Sequence, residues 1–402
     1  MHPHQKAAVF ASLAFAALCV ATVLTPQAGA QAAAAGPDAP QASLRDHLLR
    51  KKAAITQSAQ QDIAPLQIHG KVTAESRSGV RRLRIGQGGT FQYISDSGRD
   101  YAGYNLGAGS WESLIGTLAS AVADEYLVQA AAKGIALDSL DVVFNSLPDD
   151  PSVAKTHAVR YPRNLGYIAY ITSPASDAQL EALRRAVEAS SSAINLVTQH
   201  QQVDHVKVEY VQTPQQRQAG LPPGLRDFIS EEKRPAVLKR QAPSRTPQTP
   251  EILTARTHVE PHTGLRFTSL GTDGYHKQLH DSAPNLLGYG VAPTVEEHLL
   301  GVTGTCLTHI FEVQAATRNV LLDSLELTVD GTLTPRFGKQ VRGPSRYQDI
   351  RYTVRIESPA SAQEVDGLRA AVEKSCPLYN LIKDEQPVDG RIVRGPYVDK
   401  AA

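Results

Sequence analysis

The chain has 402 residues, with 41 Lys and Arg set against 40 Asp and Glu, which leaves a formal net charge of +1. That balance, with no long basic cluster, excludes the electrostatic footprint of a nucleic-acid-binding protein. The length suits two ordinary domains, each large enough to bury its own core.

The first predicted element is a leader. Met1–Lys6 ends in a positive charge, Ala7–Val23 is apolar and uncharged, and Ala28-Gly29-Ala30 is a small-x-small cleavage site. The pattern is that of a secretory signal peptide over residues 1–30, with an uncleaved anchor helix as the alternative. Cys19 lies in the apolar run without a lipoprotein-type box before it, so it leaves with the leader. Export implies an oxidising compartment, periplasmic or secreted, with no stable membrane insertion after cleavage.

Beyond a polar arm at 31–40 the chain is a duplication. Leu137-Asp-Ser-Leu-Asp-Val142 matches Leu322-Asp-Ser-Leu-Glu-Leu327, and Ser173-Pro-Ala-Ser176 matches Ser358-Pro-Ala-Ser361. Leu183-Arg-Arg-Ala-Val-Glu188 matches Leu368-Arg-Ala-Ala-Val-Glu373, and Asn195-Leu-Val197 matches Asn380-Leu-Ile382. Every pair is offset by 185 positions. Upstream, Leu83-Arg84-Ile85 answers Leu265-Arg266-Phe267 at a slightly shorter offset. Repeat 1 spans 43–211 and repeat 2 spans 224–397, joined by a Pro- and Gln-rich linker at 212–223.

Within each repeat the predicted order is the same. An opening helix (44–58; 225–239) leads into strands at 66–72 and 79–94 in repeat 1, and a polar passage at 240–262 takes that place in repeat 2. A long helix follows, 110–132 or 294–318, and then strands at 139–145 and 167–172, or 325–331 and 352–357. A second helix starts at the last Ser of Ser-Pro-Ala-Ser, a good N-cap, followed by a helical turn and a closing strand at 206–211 or 390–393. Strands grouped around two helices without strict alternation indicate an α+β fold.

The chemistry concentrates in repeat 2. In the long helix Thr294 is the expected N-cap, and Leu299, Val302, Cys306, Ile310 and Val313 recur at helical spacing, which puts Cys306 on the apolar stripe. Cys376 precedes Pro377, a residue favoured at the first helical position, so the thiol falls at an N-cap where a helix terminus favours the thiolate. At the fixed offset, Cys306 corresponds to Ala121 and Cys376 to Ser191. The two thiols are present together or absent together, as a paired role requires. Glu297 corresponds to Glu112, and Arg266 answers Arg84. Glu297 lies nine residues before Cys306, half a turn around the helix, so a glutamate serving the thiol comes from the other repeat as Glu112, or both glutamates serve only their helix N-termini. His309, one turn after Cys306, is a candidate neighbour or a core-edge histidine. No metal-ligand spacing and no Gly-x-Ser-x-Gly elbow is present.

Glu297-His-Leu-Leu-Gly-Val-Thr-Gly-Thr-Cys306 is similar to the Glu-Leu-Leu-Leu-Ala-Ala-Leu-Gly-Gly-Cys pattern of the OsmC/Ohr family of thiol-dependent peroxidases. Lys374-Ser-Cys-Pro-Leu-Tyr-Asn-Leu381 resembles the family's Cys-Pro-Val-Ser-Asn-x-Leu, and Trp111-Glu-Ser-Leu-Ile-Gly-Thr-Leu-Ala-Ser-Ala121 resembles the first motif without its cysteine. The resemblance implies two tandem OsmC-like repeats forming an intramolecular pseudo-dimer, with one thiol site per chain. It also implies a reaction. Cys306 attacks an organic hydroperoxide and becomes a sulfenic acid, and Cys376 resolves it to a disulfide. Glu297 or Glu112, with Arg266 or Arg84, would activate the attacking thiol. Expected partners are a hydroperoxide, a dithiol reductant and further copies of the pseudo-dimer; no cofactor or metal is expected. The alternative is a non-enzymatic exported binding or stress protein with a structural disulfide.

Overall fold

The computed structural model describes residues 43–148, 159–242, 252–271 and 273–399. The leader at 1–30 and Cys19 lie outside the described residues. Among those residues no helix is long and apolar enough to cross a membrane.

Repeat 1 opens with α1 (Leu44–Ser58), whose N-cap Ser43 and Asp46 form a reciprocal capping box. Three antiparallel strands follow, β1 (Leu66–Ala74), β2 (Arg81–Ile85) and β3 (Phe91–Ser95). Next come the long helix α2 (Ser110–Lys133), β4 (Ser139–Ser146), β5 (Leu165–Thr172), α3 (Asp177–Ser190), α4 (Ser192–Thr198) and β6 (Val203–Gln212). Repeat 2 opens with a helical run that includes a π-helical turn at Phe228–Lys233 and continues as α5 (Arg234–Gln241). The rest is β7 (Leu253–Val259), β8 (Arg266–Leu270), β9 (His276–His280), α6 (Val295–Arg318), β10 (Ser324–Leu333), β11 (Tyr347–Ser358), α7 (Ala362–Ser375), α8 (Pro377–Leu381) and β12 (Val388–Arg394).

The two sheets are not one per repeat. One runs β3-β2-β1-β10-β11-β6 and the other β9-β8-β7-β4-β5-β12. Each therefore takes three leading strands and one closing strand from one repeat, and two central strands from the other. Exchanging the repeats converts one order into the other, which is an intramolecular pseudo-dimer in an α+β fold. β1 pairs antiparallel with β10, and β6 lies parallel to β11, so pairing across the repeats is continuous backbone hydrogen bonding.

Two elements differ from expectation. The passage at 240–262 contains β7, whose alternating burial hides in a stretch of Thr, Arg and His. Its partners supply the pattern that its own composition does not. The register also corrects the arginine correspondence. Arg81 pairs with Ser95 and Arg266 with His280, so the counterpart of Arg266 is Arg81, at the common offset of 185. Arg84 points to solvent.

The long helices are buried nearly all round rather than along one stripe. α6 rests on β1 and β2 of repeat 1 and on β10 of its own repeat, and it also packs on α2. Its seat on the sheet depends on glycine. A Cβ on Gly301 would come within 3.0 Å of the Ile85 and Leu83 side chains, and one on Gly304 within 2.9 Å of Val329. Both long helices end in a left-handed residue at equivalent positions, Gly134 and Asn319, which stops them at the same length.

Candidate active site

Cys306 lies at the middle of α6, on the side away from the sheet-facing Gly304. Cys376 occupies the joint between α7 and α8, as C-cap of the first and N-cap of the second. Pro377 prevents α7 from continuing into α8. The Asn380 side-chain amide donates to the carbonyls of Cys376 (2.8 Å) and Glu373 (2.9 Å), which locks the turn. Gln314 of α6 donates to Ser375 Oγ at 3.0 Å and ties the joint to the long helix. These constraints bring two residues 70 positions apart to a Sγ–Sγ separation of 3.5 Å. Both are free thiols, 3% and 0% exposed. A disulfide needs about 2.05 Å, so bond formation requires the sulfurs to approach by about 1.5 Å.

The thiols are not equivalent. The Cys376 S–H donates towards Cys306 Sγ. Burial, then the hydrogen bond to Cys306, pushes Cys376 well above the usual thiol range. The expected helix-terminus effect is present as the neighbouring backbone N–H groups of Tyr379 and Leu378, and it is outweighed. A five-residue helix has too small a dipole to offset complete desolvation. Burial thus keeps the Cys376 thiol protonated.

A buried polar cluster lies one to two turns along α6. Arg81, from β2 of repeat 1, sends Nη1 to Gly79 O (3.0 Å), Glu312 Oε2 (3.3 Å) and His309 Nδ1 (3.3 Å), and Nη2 to Ser97 Oγ (3.1 Å). Lys233, placed by the π-helical turn, donates to the same Glu312 oxygen at 3.2 Å. Arg81 and Lys233 are 1% exposed and Glu312 is fully buried. Two cations therefore share one carboxylate. Burial, followed by the charges of Lys233 and Arg81, holds His309 well below the ordinary histidine range, so its ring is neutral.

The sequence-predicted partners separate into two places. Glu297 accepts from Thr294 N at 3.0 Å and Glu112 from Gly109 N at 3.0 Å, so each carboxylate closes the first turn of its own helix. Glu112 is not brought to Cys306, because N-terminal capping holds it at the start of α2. Arg266 is also elsewhere. It pairs with Asp124 of α2 at 2.8 Å and donates to Ser120 Oγ, Gly264 O and Asp281 O, beside the position where Ala121 replaces a cysteine. The reason is the strand exchange: each repeat delivers its β2-type arginine to the other repeat's long helix. Arg81 serves the thiol half and Arg266 the thiol-free half. Arg81, Glu312, Lys233 and Ser97 were not singled out from sequence. The 185-residue offset, carried back to position 266, would have named Arg81.

The thiol-free half is also charged. Arg336 bonds Asp124 (2.7 Å) and Glu296, and Glu296 accepts from Ser192 at 3.0 Å. Lys51 of α1 lies in the same interior. Three cations, Arg266, Arg336 and Lys51, meet three carboxylates, Asp124, Glu125 and Glu296. Among the described residues no group of three or more His, Cys, Asp or Glu is placed to hold a metal ion.

Residues 288–390, which hold α6, β10, β11, α7, α8 and both thiols, match the family model described as OsmC-like protein. Over this segment the chain carries an OsmC-like domain. The OsmC-like segment thus spans the whole thiol pair but not Arg81, which comes from the other repeat. Among solved structures, the chain is similar to an OsmC-like protein from Mycoplasma pneumoniae, at 19% identity over 34% of this chain and 87% of that one, with a TM-score of 0.26. It is similar to an organic hydroperoxide resistance protein OsmC, described as a predicted redox protein and regulator of sulfide bond formation, from Legionella pneumophila. There the identity is 19% over 38% of this chain and all 100% of that one, with a TM-score of 0.26. A third is an OsmC-like protein of unknown function from Vibrio cholerae, at 19% identity over 32% of this chain and 84% of that one, with a TM-score of 0.24. Among curated proteins no relative matches the chain.

Proposed function

We propose that the protein is a thiol-dependent peroxidase that reduces organic hydroperoxides through Cys306 and Cys376. The coarser reading, an OsmC-like role in redox and stress chemistry, is carried by the family match over residues 288–390. The single observation behind the finer one is the 3.5 Å approach of two free thiols at a junction of three helices, one of them held protonated. In the proposed cycle Cys306 thiolate attacks the terminal peroxide oxygen, the O–O bond breaks, and the alkoxide leaves and takes a proton to become an alcohol. Cys306 is then a sulfenic acid. Cys376 attacks its sulfur, water leaves, and a disulfide forms before further oxidation can occur. The sum is two thiols and one hydroperoxide giving one disulfide, one alcohol and one water. A dithiol reductant closes the cycle by exchange. We place the protein in the periplasm or outside the cell, as the leader pattern over residues 1–30 indicates.

The near-complete burial of both sulfurs favours a second reading, in which the pair is a structural disulfide and nothing turns over. One experiment separates them. The reduced protein is mixed with one equivalent of cumene hydroperoxide, and intact mass and peptide linkage are followed with and without excess dithiol. Loss of two hydrogens, a Cys306–Cys376 linked peptide and catalytic loss of hydroperoxide support the peroxidase. A linkage that forms once and is not turned over, or equal hydroperoxide loss in Cys306→Ser, removes it.

A further inference from the structure

We propose that His309 is a catalytic residue whose Nε2–H donates a hydrogen bond to the oxygen that leaves when Cys306 is oxidised. The assignment rests on the peroxidase reading above, and deepens it by naming a group at the reacting bond.

The argument begins with the pseudo-symmetry. At the common offset of 185, Arg81 answers Arg266, Ser97 answers Ser282 and His309 answers Asp124. The contacts are conserved with them. Asp124 Oδ1 forms an ion pair with Arg266 Nη1 at 2.8 Å and accepts from Ser282 Oγ at 2.9 Å. His309 Nδ1 meets Arg81 Nη1 at 3.3 Å and Ser97 Oγ at 3.2 Å. In the half without a thiol the position three residues after the cysteine site is thus a carboxylate; in the half with the thiol it is an imidazole.

The chemistry of the change is specific. A guanidinium has no acceptor, so a proton on Nδ1 would face N–H hydrogens. Nδ1 is therefore the acceptor and Nε2 carries the proton. The ring keeps the carboxylate's contact with Arg81, its single Nδ1 lone pair shared with the nearby Ser97 hydroxyl. It removes a negative charge that would oppose a thiolate one turn away, and it adds an N–H donor on its far side. Among the described residues no protein group takes up Nε2, and the side chain is 18% exposed, whereas Arg81, Glu312 and Lys233 are closed off from solvent. Three residues apart on a helix, Cys306 and His309 have Cβ atoms about 5–6 Å apart and project about 60° from each other. Tyr101 packs edge-on against the imidazole at 5.3 Å between centroids and limits its rotation.

In the step itself, sulfur donates an electron pair to the terminal peroxide oxygen and the O–O bond breaks. Negative charge develops on the departing alkoxide oxygen, where a fixed N–H donor acts in the transition state and little before it. The proton that completes the alcohol comes from water, and His309 is neutral before and after.

The test compares two reactions of the same sulfur in the full chain carrying Cys376→Ser, so that only Cys306 reports. Sulfenic acid formation with cumene hydroperoxide is followed by dimedone trapping. Alkylation by iodoacetamide is followed in parallel, since there iodide leaves and no oxygen needs a donor. The expected result for His309→Phe is a loss of about a hundredfold in the peroxide rate, the scale on which one oxyanion donor acts, with less than about a threefold change in alkylation. His309→Gln, whose amide can present N–H near the Nε2 position, recovers most of the loss. Equal loss in both reactions overturns the assignment, because His309 would then act on the thiol or on the fold, and so does an unchanged peroxide rate. If the chain with native His309 is alkylated but does not react with hydroperoxide at all, the peroxidase reading fails first and this assignment with it.

Discussion

Replacing Glu312 by Gln tests the claim that the thiol half is organised around one carboxylate shared by two buried cations. Arg81 and Lys233 reach the same Glu312 oxygen at 3.3 and 3.2 Å, and all three side chains are at most 1% exposed. The amide keeps the shape and removes the charge, leaving two cations in an interior that cannot solvate them. Breaking a buried pair this way costs about 3–5 kcal/mol. Lys233 limits the loss. Burial already lowers its affinity for a proton, so in the variant it can deprotonate and relieve the repulsion. The expected destabilisation is therefore near the lower bound, about 3 kcal/mol at neutral pH, and it shrinks as pH rises because the folded variant sheds that proton more easily than the unfolded chain. Urea unfolding followed by the single tryptophan, Trp111, measures it. Glu312→Gln combined with Lys233→Met removes one stranded cation and should recover at least about 1.5 kcal/mol, a coupling of the size expected for groups in one network. A single-variant loss below about 1 kcal/mol, or no recovery in the double variant, would refute the shared-carboxylate account.

Cys376→Ser should leave Cys306 without a resolving partner, so that successive hydroperoxide additions carry it to sulfinic acid, a mass gain of two oxygens that the unsubstituted chain avoids. Mass spectrometry reads this directly, and an unmodified Cys306 would argue against its being the attacking sulfur. Stability should fall with acidity between pH 6.5 and about 3, because burial depresses His298 and His47 to about 3, so only the unfolded chain takes up their protons in that window. Each contributes about 1.4 kcal/mol per pH unit, full stability is present above 6.5, and His298→Asn should remove one histidine's share of the slope. Proteolytic nicking within the exposed linker at 213–223 should leave the two fragments associated and unfolding in a single transition, since each sheet holds strands of both repeats. Size-exclusion chromatography that separates them under native conditions would contradict the exchange.

The order of elements and their internal duplication came from local signals. Ser43, Ser176, Thr294 and Ser361 cap helices through their own side chains, and such contacts span three residues. The pairing of Cys306 with Cys376 was equally plain, because their joint absence at the equivalent Ala121 and Ser191 can be read from one chain. What the linear order could not decide was which repeat supplies which group. Strand pairing is made between residues far apart, and the exchange of β1–β3 for β7–β9 leaves no mark on local composition. That exchange places Arg81 rather than Arg266 beside α6. It brings Arg81 to Glu312 and His309, which repeat 2 itself contributes with Lys233, while Glu112 and Glu297 stay as caps through contacts only three residues long. Side-chain chemistry was set residue by residue; its neighbours, and hence its protonation, were set by burial, which exists only once both halves are folded together.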